Sequence, residues 1–329
     1  MPEFKAERVW LAPMSGSTDA AFRRQAVKFG APAVVSEMVA GEALVASRPD
    51  MVRKTCRHYG DGLWIVQLAA RRPEDMRAGA ALLADLGVDV IDINMGCPSR
   101  QVTGGKSGSA LMQDPDLALK IIDAALEGAG DIPVTLKMRL GWDDNLLNAP
   151  EIGKAAQDRG IQLLTVHGRT RCQFYKGQAD WARIRDTVER VDVPVIANGD
   201  ITSVKTAKDA LSQSGAFGVM VGRACMGQPW LVGEIAAALG GTPWKKPTLS
   251  EQLDSLCEQI EDSLSLYGRS LGLRIVRKHI SASIDKLDIP LEAQYRRKLQ
   301  ADLCRLEDPA QLLPHLRRVY ERQELEVAA

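Results

Sequence analysis

The feature that most limits what this chain can fold into is an alternation kept up over its first 240 residues: a short β-prone run, an amphipathic stretch, then another run. The runs are residues 9–12, 33–36, 64–67, 90–93, 134–138, 163–166, 194–197 and 217–221. Segments 73–86, 115–126, 151–159, 181–190 and 203–212 have helical periodicity. Asp19 opens a further helix with charge suited to an N-terminus, and the long connection from Met38 to Leu63 is expected to hold extra helices. Eight strands buried on both faces and separated mainly by helices predict an α/β fold, a TIM-type (β/α)8 barrel, with a doubly wound sheet as the rival. Met14, Glu37, Gln67, Asn94, Lys137, His167, Asn198 and Gly222 each fall at or just beyond the end of a run. Such a series favours the barrel, in which strand ends converge on one cavity.

After Gly240-Gly241 the pattern changes. Residues 242–247 read as a linker, and 249–267, 270–283, 291–303 and 309–326 as helices with no strands between them. The expected organisation is a barrel over 1–241 and a C-terminal helical bundle domain over 242–329. Lysine plus arginine, 42, balances aspartate plus glutamate, 42, but residues 269–305 hold nine basic residues against four acidic ones, a local surplus suited to a polyanion. Six scattered cysteines and four histidines without ligand spacing support neither a disulfide framework nor a metal site. No apolar segment reaches membrane-spanning length, and the start of the chain does not read as a secretory leader. The expected setting is the cytoplasm, with no membrane and no obligate protein partner.

Several strand ends carry chemistry. Cys97 lies between Gly96 and Pro98 just past the fourth run, in a turn where its thiol can face a cavity. Lys137 stands inside the fifth run, which otherwise wants apolar residues; a charge there needs either a barrel aspartate or a bound electron-rich cofactor. Gln67 suits the edge of a heterocycle. The turn at Met14 and Gly16 suits close backbone approach to a planar ring, although Thr18 and Asp19 equally suit a cap on the next helix. His167-Gly-Arg-Thr-Arg171, Asn198-Gly199-Asp200 and Gly222-Arg223 end the last three runs, where barrels commonly hold phosphate. No GxGxxG follows an early strand, so a mononucleotide flavin fits better than a tightly held dinucleotide. Residues 104–109 lack Walker spacing and read as a mobile loop over the site, with Arg100 and Lys106 available to a polyanion.

Taken together, Ala12-Pro13-Met14-Ser15-Gly16-Ser-Thr-Asp19, Ser36-Glu-Met38, Asp92-Ile-Asn-Met-Gly-Cys-Pro98, Gly108-Ser-Ala-Leu111, Thr135-Leu-Lys-Met-Arg139, His167-Gly-Arg-Thr-Arg171, Ile196-Ala-Asn-Gly-Asp-Ile201 and Gly222-Arg223 resemble the tRNA-dihydrouridine synthases, in their bacterial B branch. The resemblance implies FMN, reduced by NADPH or NADH, and saturation of the C5–C6 bond of a tRNA uridine. Through it, Cys97 is the expected proton donor to C5 while flavin N5 gives hydride to C6. Pro13, Met14, Ser15, Gly16, Gln67, Lys137, His167, Asn198, Gly199, Asp200, Gly222 and Arg223 are the expected cofactor contacts. Asn94 and Arg169 are expected to orient the uracil or its backbone. A target base must leave its stack to enter a barrel, which gives Arg171, Lys176 and Lys106 near the mouth, and Arg277 and Lys278 in the bundle, an expected role in holding RNA. The rivals are an FMN barrel acting on a free pyrimidine, resembling dihydroorotate dehydrogenases, and a non-catalytic RNA-binding barrel.

Overall fold

In the computed structural model, which describes residues 7–321, all eight runs are parallel strands: β1 (Val9–Leu11), β2 (Ala33–Val35), β3 (Leu63–Ala69), β4 (Val90–Met95), β5 (Val134–Arg139), β6 (Leu163–His167), β7 (Val195–Asn198) and β8 (Gly218–Val221). Each pairs with the next in chain order, and β1 pairs with both β2 and β8, Trp10 lying opposite Ala33 on one side and Met220 on the other. The sheet therefore closes, which excludes the doubly wound rival with its open edges. A two-residue strand, Val39–Ala40, extends the sheet at the C-terminal end of β3.

Strand alternation sorts the side chains. On β4, Ile91 and Ile93 face the outer helices, while Val90, Asp92 and Asn94 share the inner face. The inner face changes character along the barrel axis. Trp10, Ile65, Val90, Leu163, Ile196 and Met220 form an apolar plug toward the N-terminal ends. Two residues further along the middle strands, the same face presents Gln67, Asp92 and Thr165. The plug closes the barrel floor, so polar groups gather at the C-terminal rim.

The outer layer departs from expectation in two places. Residues 181–190 form a 3-10 turn, Ala182–Ile184, and a short helix, Arg185–Val188, rather than one helix. The helix that closes the outer layer, Leu231–Gly240, was not expected; its run of Ala, Leu and Val lacks the polar face by which a helix is recognised in sequence. The connection before β3 holds helices Gly41–Val45 and Pro49–Lys54.

The bundle has its own apolar core. Its helices are Leu249–Tyr267, Arg269–Lys286, Ala293–Arg305 and Pro309–Tyr320; residues 322–326 of the expected last helix lie outside the described residues. Thr248 and Glu251 form a reciprocal cap on the first helix. The bundle docks on the barrel through helix Leu249–Tyr267, where Ser255 Oγ donates to Gln25 Oε1 at 2.9 Å and Glu258 pairs with Lys28, and through helix Arg269–Lys286. A Cβ on Gly227, in the loop after β8, would lie 2.3 Å from the Ala282 carbonyl, and the His279 ring stacks on Phe22 at 4.9 Å between centroids. Among the described residues, no helix is long and apolar enough to cross a membrane, and no three metal-ligating side chains stand together.

His279 is 1% exposed, and neither ring nitrogen has a hydrogen-bond partner. Burial, reinforced by nearby Lys278, pushes its pKa down to about 3, so the fold holds the neutral ring. Its contribution to stability is complete above the unfolded value of about 6.5 and is lost as pH falls below it, at about 1.4 kcal/mol per pH unit. Denaturant unfolding of the parent and His279→Phe between pH 7.5 and 5 should show that much less pH dependence in the variant; equal slopes would refute this account.

Candidate active site

A buried carboxylate organises the inner rim. Asp92 is 1% exposed and accepts hydrogen bonds from Gln67 Nε2 and Thr135 Oγ1, each at 2.7 Å. Burial raises its pKa against the opposing effect of those two donors. With its nitrogen committed to Asp92, Gln67 turns its oxygen to Asn94 Nδ2 at 2.6 Å. Asn94 Oδ1 then accepts the Cys97 N–H at 3.0 Å and the Gly96 N–H at 3.3 Å. One carboxylate thus fixes two amide orientations and, through them, the turn that bears the thiol.

Two further tethers hold that turn. The Cys97 carbonyl accepts from the backbone and hydroxyl of buried Ser109, at 3.1 and 2.8 Å, and the Gly96 carbonyl accepts from Arg139 Nε at 2.8 Å. Gly108 adopts φ +60 and packs so closely that a Cβ would lie 2.9 Å from the Cys97 carbonyl oxygen.

Lys137 faces inward on the neighbouring strand and donates to Asn198 Oδ1 at 3.1 Å, while Asn198 Nδ2 donates to the Met220 carbonyl at 2.9 Å. No carboxylate of the described residues lies within 4.0 Å of it, so the barrel aspartate Asp92 acts on it at a distance and not as an ion pair. Burial first, then repulsion from Arg139, lowers its pKa to about 8. His167 is held well below its ordinary value by burial and by Arg139, Lys137, Arg169 and Arg223, and is neutral at pH 7. Gly199, at φ +112, lies against it: a Cβ there would come 2.7 Å from His167 Cδ2.

These groups line one cavity of about 1020 Å3. Cys97 and Asn94 share it with Pro13, Met14, Ser15, Gln67, Lys137, His167, Asn198, Gly199, Asp200, Gly222 and Arg223. Seven of the eight strand-end positions contribute. Glu37 is the exception: its carboxylate accepts the Gly16 N–H, so both it and Gly16 buttress the first turn from behind. Asp19 caps helix Ala20–Lys28 through the Phe22 N–H, and Thr18 Oγ1 accepts the Met14 N–H, so both serve local structure.

The expected RNA-facing residues are placed differently. Arg169 is only 2% exposed: it pairs with Asp200 at 2.6 Å and donates to the carbonyls of Lys176 and Gly177. The sequence placed Arg169 at the uracil or its backbone; in the structure its guanidinium is committed to Asp200 and two carbonyls and does not line the cavity. What it does is hold Asp200, a non-glycine residue at φ +54. Burial pushes the Asp200 pKa up, but the bonds from Arg169 and Ala179 outweigh it and the net shift is downward. Arg171 lies between the rings of Trp142 and Phe174, at 4.5 and 5.0 Å, and reaches Thr103 Oγ1 at 3.4 Å, away from the cavity wall. Lys106 is exposed on the neighbouring loop at φ +60, and Lys278 stands beside Gly16; neither lines the cavity, nor does Arg277.

Sequence reasoning missed Arg139, Phe174, Tyr175, Met38 and Lys286 on the cavity wall. Arg139 was legible, since it sits two residues past Lys137 and shares its face. Lys286 was not: it reaches the cavity because Ala282 docks on Gly227. Lys137, Arg139, Arg223, Arg100 and Lys286 give the wall a cationic surplus over Asp200. An electron-rich ring and a phosphate fit such a donor set.

The family model for dihydrouridine synthase (Dus) matches residues 10–319. A probable tRNA-dihydrouridine synthase of Rhodobacter capsulatus is 48% identical over 318 residues, spanning 96% of this chain and 95% of that protein. The tRNA-dihydrouridine synthase B of Xanthomonas campestris pv. campestris is 42% identical over 278 residues, 84% of this chain and 83% of that one. Among solved structures, a 2-naphthoyl-CoA reductase superposes with a TM-score of 0.53 at 11% identity, over 72% of this chain and 50% of that one, which speaks to the barrel fold alone.

Gly199→Ala should displace His167 and strain the β7 turn. We expect weakened retention of an added flavin mononucleotide by about tenfold, read by fluorescence titration, with little loss of helix content. Unchanged affinity would show that the Gly199–His167 contact does not shape the cofactor wall.

Proposed function

Because the chain belongs to the dihydrouridine synthase family, in its bacterial B-type branch, we propose that it is a flavin-dependent tRNA-dihydrouridine synthase with Cys97 as the acid. The observation that carries the assignment of roles is the fixed turn: a thiol at a cavity wall, held through Asn94, Ser109 and Arg139 beside a lysine with no carboxylate of the described residues within 4.0 Å.

FMN bound in this cavity supplies the hydride for uracil C6. The protein's own groups do the rest. Gln67, with its amide orientation set by Asp92, presents its remaining N–H to one polar edge of the ring. Lys137, largely charged below about pH 8, stabilises negative charge near the ring. The Gly199–Asp200 and Gly222–Arg223 loops take the phosphate; Arg223 has a 64% exposed side chain and only a 3.6 Å contact with Asp200, so its guanidinium is available. Pro13, Met14 and Ser15 supply the turn against the ring.

Addition of hydride at C6 leaves a carbanion equivalent at C5, and Cys97 donates the proton that quenches it. Asn94 orients the uracil with the amide hydrogen it does not use toward Gln67. A cavity of about 1020 Å3 suits a flavin with a base laid on it. We assign catalysis to residues 1–241 and tRNA binding to 242–329, with Lys286 and Arg100 at the cavity wall taking the phosphates of the extruded nucleotide. The reductant is NADPH or NADH, binding transiently, and a tRNA substrate implies a cytoplasmic setting.

Cys97→Ala should keep its FMN and its reduction by NADPH while dihydrouridine formation falls by about 100-fold or more. The measurement is mass analysis of an unmodified tRNA after incubation with the flavin-loaded protein, in which a reduced uridine gains the mass of two hydrogens. Parent-like product formation by the variant would sink the proton-donor role. Parent protein that reduces a free pyrimidine but leaves tRNA unchanged would favour the small-molecule reading.

A further inference from the structure

We propose that Arg139 is the positioning residue for the Cys97 thiol, tying the Gly96–Cys97 turn to the β6 loop that carries Phe174 and Tyr175. The inference rests on Cys97 being the proton donor, and it adds a group that sets where that donor stands.

Arg139 is 2% exposed at the end of β5, and no carboxylate of the described residues lies within 4.0 Å of it. A buried cation without a counter-ion is costly unless its donors are satisfied in another way. Here carbonyls satisfy it. Nε donates to Gly96 O, and Nη1 to Thr170 O and Phe174 O, each at 2.8 Å. The planar fork joins two loops from different strands, a geometry that one ammonium group cannot copy.

Of the tethers on the Cys97 turn, those from Asn94 and Ser109 come from β4 itself and the segment just after it. Among the described residues, Arg139 is the one hydrogen-bonding side chain that connects the turn to the loop after β6. Its outer face is covered by Tyr175, whose ring centroid lies 5.5 Å from the guanidinium carbon and 5.0 Å from that of Arg223. Tyr175 is 54% exposed and lines the cavity. A substrate pressing on this ring therefore bears, through one guanidinium, on the carbonyl adjoining the acid.

The test uses flavin-loaded Arg139→Lys, which keeps the charge and removes the fork. The expected result is a kcat for tRNA reduction about 100-fold lower, with KM for tRNA and NADPH-driven flavin reduction within about threefold of the parent. Iodoacetamide, followed at the Cys97 peptide, should label that thiol about tenfold faster, as expected of a loosened turn. A kcat within threefold of the parent overturns the proposal. A lost kcat with unchanged labelling also overturns it, because Arg139 would then act on the substrate rather than through the turn. Full activity in Cys97→Ala would instead remove the proton-donor reading, while Cys97 labelling in Arg139→Lys still reports the tether. If Arg139→Lys does not fold or retain FMN, Tyr175→Leu uncovers the guanidinium from an exposed position. Faster Cys97 labelling in that variant supports the tether, and labelling at the parent rate counts against it.

Discussion

The hydrogen-bonded chain that begins at Asp92 is the constraint on which the rest of the site depends. The Asp92 carboxyl is buried on the inner face of a closed barrel, and Gln67 Nε2 and Thr135 Oγ1 satisfy it. An amide can offer its nitrogen in that direction only by presenting its oxygen in the other, and Asn94 takes it. Asn94 in turn aims its oxygen at the backbone of Gly96 and Cys97. A carboxyl group near the barrel axis is thus linked through two amides to the turn that bears the thiol at the rim.

The second organising feature is a surplus of positive over negative charge. Lys137, Arg139 and Arg223 line the same cavity, and the neutral state of His167 follows from burial and from their field. Cations that lack carboxylate partners are held by neutral acceptors instead: Lys137 by the Asn198 amide, Arg139 by three backbone carbonyls. Their charge thus stays available to an anionic ligand. Arg169 shows the contrasting arrangement. Paired with Asp200 and buried, it shapes a turn and offers nothing to solvent.

The bundle is joined to this centre by close packing and by polar pairs, among them the buried Ser255–Gln25 hydrogen bond. Gly227 lets the Ala282 backbone come into contact, His279 stacks on Phe22, and the helix between them carries Lys286 to the cavity wall. Salt bridges from Arg24 and Lys28 to Asp262 and Glu258 join the neighbouring bundle helix, Leu249–Tyr267, to the barrel. A domain with its own core thus completes the mouth of a barrel it does not otherwise resemble.

Much of this was legible in the chain. The period-two pattern of the strands specified which residues share the inner face, so Gln67, Asn94, Lys137, His167 and Asn198 could be grouped before any coordinates, and Arg139 could have joined them by the same parity. Asp19 could be seen as a cap because a cap is a local interaction; Thr18, offered with it, instead accepts the Met14 N–H. Alternation alone did not decide sheet closure; that followed from the pairing of β1 with both β2 and β8. Nor could sequence separate Arg169 from Arg223, since both are arginines just beyond a strand end. Both reach Asp200, but Arg169 is buried against it and two carbonyls while Arg223 touches it only at 3.6 Å and lines the cavity, and only the fold brings those partners within reach. The sequence by itself determined the barrel strands, their inner face and the chemical types gathered there, because periodicity and residue type are local properties. Tertiary structure decided which charges were neutralised, which were left for a ligand, and that Lys286 of a distant helix belongs to the site, because those depend on contacts between segments far apart in the chain.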